Sequence, residues 1–216
     1  MDTITLPRRR LLAALIMVAV ALAVSSMDIF LPAMPIMRDH FETTEYMMQL
    51  SMMITPLTMA LVALIFGRLC DVYGRRLVIF TSLTFFLIGA LGCCFANAMD
   101  FFIVSRFIQA IGCGGLSLIS VVTIADMFHG VDYARYMSIY GSLFPLVFAT
   151  SPIVGAQITE HLGWRSCFIF SFISMLFVAT ILRALLPETM KKANRVNQGG
   201  LQELLAKAKM LLTDSE

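Results

Sequence analysis

The sequence predicts an all-α membrane protein with six transmembrane helices, and three observations carry that prediction. Hydrophobic residues make up 59% of the 216 positions and charged residues only 14%, with a mean hydropathy of +0.84. An ordinary soluble domain is about 45–50% apolar and about 25% charged, and a core of this size cannot hide the excess, so the solvent for most of the chain is lipid. Second, the apolar residues fall into six continuous runs of about the 20 residues that a helix needs to cross the hydrocarbon core. A membrane barrel would show shorter segments of alternating character. Third, Lys and Arg alternate between the two sides. With the N-terminus in the cytoplasm, the inner side holds Arg8, Arg9, Arg10, Arg68, Arg75, Arg76, Arg135, Arg183, Lys191, Lys192, Arg195, Lys207 and Lys209, and the outer side only Arg38 and Arg165. Both termini are therefore expected to be cytoplasmic. The net charge of +2 is then a topology signal, and no nucleic-acid partner is expected.

The first run, Leu11–Met34, follows three arginines and could pass for a secretory signal, with Arg8-Arg9 hinting at the twin-arginine type. A signal's apolar region ends after about 7–15 residues. Here it continues through MDIFLPAMP, so the run reads as an uncleaved helix with a single charge, Asp28. The second, third and fifth runs, Tyr46–Leu69, Leu77–Ala96 and Tyr136–Thr159, contain no charge short of the last turn. The fourth, Phe101–Asp126, carries Arg106 and ends on Asp126, and the sixth, Trp164–Leu186, is bracketed by Arg165 and Arg183. Pro32 and Pro35, Pro56, and Pro145 with Pro152 are expected to interrupt helices one, two and five, since proline removes a backbone bond and bends a helix. Broken helices in membranes tend to border cavities. The predicted organisation is a cytoplasmic N-terminus over residues 1–10, a transmembrane domain over 11–186, and a linker-like cytoplasmic tail over 187–216. In that tail a polar break, PETMKKANRVNQGG, precedes a short amphipathic helix, LQELLAKAKMLL, suited to the membrane surface.

The five cysteines, Cys70, Cys93, Cys94, Cys113 and Cys167, sit in or beside the spans without a metal-type pair, and a thiol in lipid packs as a small apolar group. His40, His129 and His161 are placed in loops. That placement disfavours metal binding at membrane depth, and likewise an intramembrane serine protease, whose serine would need a base there. No cofactor and no catalytic constellation is indicated.

The stretch GRLCDVYGRR, Gly67 to Arg76, is read as a tight inner loop in which Gly67 and Gly74 allow close approach and a sharp turn. Asp71 is acidic where basic residues alone would satisfy topology, and Arg75 and Arg76 can pair with carboxylates nearby. An echo, acid-x-x-Gly then Arg, occurs after the fifth helix at Glu160, Gly163 and Arg165. Inverted three-helix repeats place equivalent loops on opposite sides of a membrane, so the echo fits a three-plus-three architecture.

Those motifs carry a resemblance. Gly67, Leu69, Asp71, Gly74, Arg75, Arg76 and Leu77 match the signature loop of the major facilitator superfamily. MDIFLPAMP, RFIQAIGCGG and FPLVFATSPIVGAQITEHLGWR resemble, in order and spacing, segments of its Bcr/CflA-type proton-coupled drug antiporters. The resemblance runs from about residue 11 to 190. It implies one six-helix half of the superfamily fold in a bacterial inner membrane, exporting small amphiphilic molecules or drugs by proton-coupled alternating access. The implied roles are a Gly67–Asp71–Gly74–Arg75–Arg76 loop that forms an inner latch with Asp126, and a helix-five face of Pro145, Pro152 and Gly155 that suppresses leakage.

Asp28 is the leading functional candidate. A carboxylate at helix centre costs about 2.5–3.5 kcal/mol on insertion scales, so such groups face an interior and usually serve a function. Burial favours its neutral form and a nearby cation its charged form, and a group held between the two can take and release protons. Asp28 lies seven residues before Pro35 and Arg106 six after Asp100, which at 1.5 Å per residue puts both about 10 Å inside the outer boundary. Asp28, Arg106 and Gln109 are therefore expected to share a polar cluster lining a cavity. A pair that merely ties helices together remains the plainer alternative, as does a solvated helix end for Asp126. The expected partners are a small-molecule substrate, protons, the bilayer, and either a second copy or a second six-helix half. A nutrient or metabolite carrier, and a truncated non-transporting protein that binds a full-length relative, stay open as alternatives.

Overall fold

The computed structural model describes residues 6–185, without the side chains of residues 6–8 and of Asp71. The expected tail over 187–216, with its amphipathic helix, lies outside the described residues. The described residues are helical almost throughout. The elements are α1 (Leu6–Asp28), a short 3-10 turn (Leu31–Ala33), α2 (Met34–His40), α3 (Glu45–Tyr73), α4 (Arg75–Cys94), α5 (Met99–Met127), α6 (Gly130–Leu162) and α7 (Arg165–Leu185). Six stretches are long and apolar enough to cross a membrane, with α1, the turn and α2 together forming the first. The spans alternate in direction. One end of the bundle therefore carries the Gly74–Arg75 turn and the other the Gly163–Arg165 turn, here the Arg75 end and the Arg165 end.

Four of the six spans, the first, second, fourth and fifth, outrun the apolar stretches that announce them. The fifth span starts at Gly130 rather than Tyr136, and the first runs on to His40. Charged residues end an apolar run but not a helix, because at the membrane edge the backbone bonds continue into the polar zone. GRLCDVYGRR is for this reason hardly a loop. Gly67 to Tyr73 close α3, Arg75 opens α4, and Gly74 alone is non-helical. Gly74 has φ 95° and ψ 159°, a region that only glycine occupies comfortably. Gly163 has φ 81° and ψ 164°, so the two turns share one backbone geometry, as a three-plus-three inverted repeat requires. Gly67 plays a lesser part than expected, since a methyl there would meet Leu118 at an ordinary 3.8 Å. His40 and His161 lie in the last turns of α2 and α6 rather than in loops.

The prolines act unevenly. Helices α3 and α6 run through Pro56, Pro145 and Pro152 without interruption. The first span does break. Pro32 and Pro35 lack the N–H groups that would bond back to Asp28 and Leu31, and a residue before proline is steered away from helix. The last α-helical bond at the break runs from the Ile29 amide to the Ser25 carbonyl (2.9 Å). The carbonyl of Ser26 is left for another donor.

Helix α5 is the axis of the bundle and packs along α4, α3 and α1. Its contact with α4 needs glycine, because a Cβ on Gly89 would run into the Gln109 backbone and one on Gly112 into Phe86. Small residues allow such approach between membrane helices. The main apolar core joins α1, α3, α4, α5 and α7. A second, aromatic cluster of Phe30, Phe102, Trp164 and Phe168 closes the Arg165 end. Helix α6 is the least embedded, burying only Tyr140, Ser151, Gly155 and Thr159. Outward-facing residues such as Leu64, Ile153 and Phe177 are about 70% exposed, an apolar surface suited to lipid.

Candidate functional site

Arg106 is the largest fully buried side chain, at 1% exposure on α5. A charge so placed costs several kcal/mol unless its donors are engaged. Its Nη1 donates to the freed Ser26 carbonyl at 3.0 Å and to Gln109 Oε1 at 2.8 Å, and its Nη2 donates to Thr55 Oγ1 at 3.1 Å. The Phe30 ring lies 4.6 Å from the guanidinium carbon, a cation–π distance. Three spans thus meet on one planar fork: α1 at its break, α3 at Thr55, and α5 itself. The Arg106 Nε and the Gln109 Nε2 are buried without a partner, so the cluster retains two unspent donors.

Asp28 is the last residue of α1 and is half-buried. It interacts electrostatically with Arg106. No hydrogen bond or ion pair joins the two among the described residues, and none engages the Asp28 carboxylate at all. The position at the C-terminal end of a helix adds a dipole that repels negative charge, opposite in sense to the pull of Arg106. The structure therefore gathers Arg106 and Gln109 closely, and leaves Asp28 beside them with its oxygens unoccupied.

At the Arg75 end, the Arg75 Nε meets Asp126 Oδ2 at 3.0 Å, bridging the start of α4 to the end of α5. The Nη1 of the same guanidinium lies 2.7 Å from Cys70 Sγ, so Cys70 makes a polar contact where apolar packing was expected. Arg76 stays out of this group, exposed and 6.0 Å from the Phe80 ring, and the side chain of Asp71 lies outside the described residues. Asp126→Asn is expected to cost about 1 kcal/mol, since the pair is only partly shielded. Exchanging the charges, Arg75→Asp with Asp126→Arg, is expected to restore most of it in a thermal melt of the solubilised protein. A melt as low in the exchange as in the single variant would argue against the pair.

Of the helix-five residues, Gly155 has the clearest role. A Cβ there would overlap the Ile29 carbonyl, so α6 lies directly on the break in the first span, next to Asp28. Ser151, one turn earlier, is buried with its hydroxyl unpartnered. Pro145 is exposed and Pro152 partly so. Sequence reasoning missed Thr55, Phe30 and the Ser26 carbonyl. Thr55 offered a faint signal as a hydroxyl next to Pro56 in an apolar span, whereas the carbonyl had none beyond the nearby prolines that end the helix just after it.

A sequence model described as the Major Facilitator Superfamily matches residues 16–215. The chain is 30% identical over 193 residues to a chloramphenicol resistance protein of Pseudomonas aeruginosa, covering 88% of this chain and 45% of that protein. It is 32% identical over 137 residues to multidrug resistance protein 3 of Bacillus subtilis, covering 63% and 27%. The chain thus spans less than half the length of these relatives. Among solved structures, the human organic anion transporter MFSD10 (TETRAN) superposes with a TM-score of 0.67 at 20% identity, over 88% of this chain and 50% of that one. The proton:xylose symporter XylE superposes with a TM-score of 0.68 at 16% identity, over 82% and 44%. At such identities the two structures speak to the fold alone.

Proposed function

We propose, from the premise that the chain belongs to the major facilitator superfamily, that it forms the N-terminal six-helix wall of a proton-driven exporter of small amphiphilic drugs. The observation that carries this reading is the Asp28 carboxylate, which sits inside a span beside the buried Arg106 with no hydrogen bond among the described residues. An ionisable group at such depth is a functional site by default. In this reading a proton bound at Asp28 removes its attraction to Arg106. The break after Asp28 and α6 packed upon it through Gly155 then shift together. The relatives named for chloramphenicol and multidrug resistance support drugs as the cargo class. The Arg75 end faces the cytoplasm, as the Lys and Arg distribution favours, and the membrane is a bacterial inner membrane. Alternating access rocks two halves about a site between them, so a second six-helix unit, from further sequence or a second copy, faces this wall.

Proteoliposomes holding the protein and loaded with chloramphenicol test the reading. An imposed proton gradient is expected to drive the drug across the membrane, and a protonophore to abolish the flux. Flux that ignores the gradient would count against proton coupling. Native mass spectrometry of the same preparation identifies the second half, with a species near twice 24.0 kDa for a self-paired form.

A further inference from the structure

The acid–glycine–arginine echo after the fifth span is not used by the transport reading, yet the structure gives it a shape. Arg75 and Arg165 each open a helix, α4 and α7, where the positive end of the dipole repels a cation. Neither arginine is placed for the good of its own helix, and each is held by acceptors brought from other spans. Arg75 is held by Asp126, at the end of the fourth span. Arg165 directs its Nη2 at three groups: the Ala96 carbonyl at 2.9 Å, Asn97 Oδ1 at 3.0 Å and His40 Nε2 at 3.2 Å. Its guanidinium carbon lies 4.4 Å from the Trp164 ring centre.

In a three-plus-three inverted repeat the first span corresponds to the fourth, the second to the fifth and the third, opened by Arg75, to the sixth, opened by Arg165. His40, at the end of the first span, accordingly stands where Asp126 stands at the end of the fourth. We propose that Arg165 and His40 form a proton-sensitive latch at the Arg165 end, the counterpart of the Arg75–Asp126 pair with a titratable imidazole in place of the carboxylate. Arginine can only donate, so His40 Nε2 serves it only as the acceptor of a neutral ring carrying its proton on Nδ1. Histidine is the side chain that changes charge between about pH 5 and 8. Once protonated, the ring has no lone pair for Arg165 and sets two cations 3.2 Å apart.

Among the described residues no acid is ion-paired with His40. On α2 and at the start of α3, Arg38 pairs with Asp39 and Glu45. Glu42 lies in the intervening turn, Asp100 opens α5, and Glu160 and His161 close α6. Among the described residues no carboxylate comes within 4.0 Å of the His40 ring. Its ring neighbours are Phe41 and Trp164, at 5.1 and 5.6 Å between centres. Acid at this end therefore loosens the end of α2 from the unit that Arg165 holds together, the turn between α4 and α5 and the start of α7. Beneath them lies the aromatic cluster with Cys93 and Cys94, 0% and 8% exposed. The latch needs no transported substrate, so it stands or falls apart from drug export.

The test labels the full chain with N-ethylmaleimide in detergent micelles, at about pH 8 and about pH 5.5, and counts adducts at each cysteine by mass spectrometry. Rates are divided by those of His40→Gln at the same pH, which cancels the thiols' own pH dependence. Glutamine keeps an acceptor for Arg165 and never titrates. The ratio at Cys93 and Cys94 is expected to be near one at the higher pH and to rise about fivefold at the lower, the scale of one like-charge contact in largely aqueous surroundings. His40→Lys is expected to label at the faster rate at both values. Equal ratios at the two pH values would overturn the proposal, as would His40→Lys labelling no faster than His40→Gln. So would an equal rise at Cys70 and Cys113, which would mean general loosening.

Discussion

Asp28→Asn is expected to abolish gradient-driven export, lowering it by about 100-fold or more, the scale on which a positioned proton-transfer group contributes. The chain is expected to stay folded and in the membrane. The reason lies in what Asp28 lacks: its carboxylate accepts no hydrogen bond from the described residues, so the amide breaks nothing. Asparagine also imitates the protonated state in size and charge. Downhill exchange of drug across the membrane should therefore persist while uphill export fails, and the flux should lose its pH dependence. A measurement of both modes in the same proteoliposomes separates the outcomes. Loss of both would assign Asp28 to substrate binding or to the fold. Retention of both would leave proton coupling to another group.

The fold was legible because lipid is an exacting solvent. Every backbone group must bond within its own helix there, so six apolar runs could only become six helices, and Lys and Arg separated the ends. The helix limits were less legible for the same reason reversed: beyond the hydrocarbon, Asp132 and Arg135 at the start of α6 are no obstacle to helix. For the site, counting residues inward from Pro35 and Asp100 placed Asp28 and Arg106 at similar depth. It could not show where the guanidinium points. That depends on the Ser26 carbonyl, which is free only because the chain breaks after Asp28, and on Thr55, whose hydroxyl in an apolar span reads equally as a self-bonded residue. The Arg165 contacts were similarly out of reach, since they join residues 40, 97 and 165 and follow from the Gly163 turn rather than from local pattern.

Arg106→Lys is expected to reduce export by about 100-fold and to cost about 2 kcal/mol of stability, roughly one hydrogen bond to a charged group. The charge is kept, so the loss tests geometry. The guanidinium serves α1, α3 and α5 at once because its donors diverge in a rigid plane: Ser26 and Gln109 lie on one nitrogen and Thr55 on the other. A lysine ammonium is a single point on a flexible stem, and from the position of one nitrogen it cannot reach the partners of both. The groups it abandons remain buried, with Gln109 1% and Thr55 1% exposed, and a buried polar group left without a partner carries its full desolvation penalty. The Gly89–Gln109 and Gly112–Phe86 contacts hold α5 firmly against α4, so the helix cannot slide to bring a shorter reach into register. Arg106→Met provides the contrast, because it removes the buried charge together with every donor to Ser26, Gln109 and Thr55, and it is expected to melt below the lysine variant. If lysine melted near the wild type and exported normally, charge alone would suffice at this position. The cluster would then have to be read as an electrostatic counterweight to Asp28 rather than a three-helix clasp.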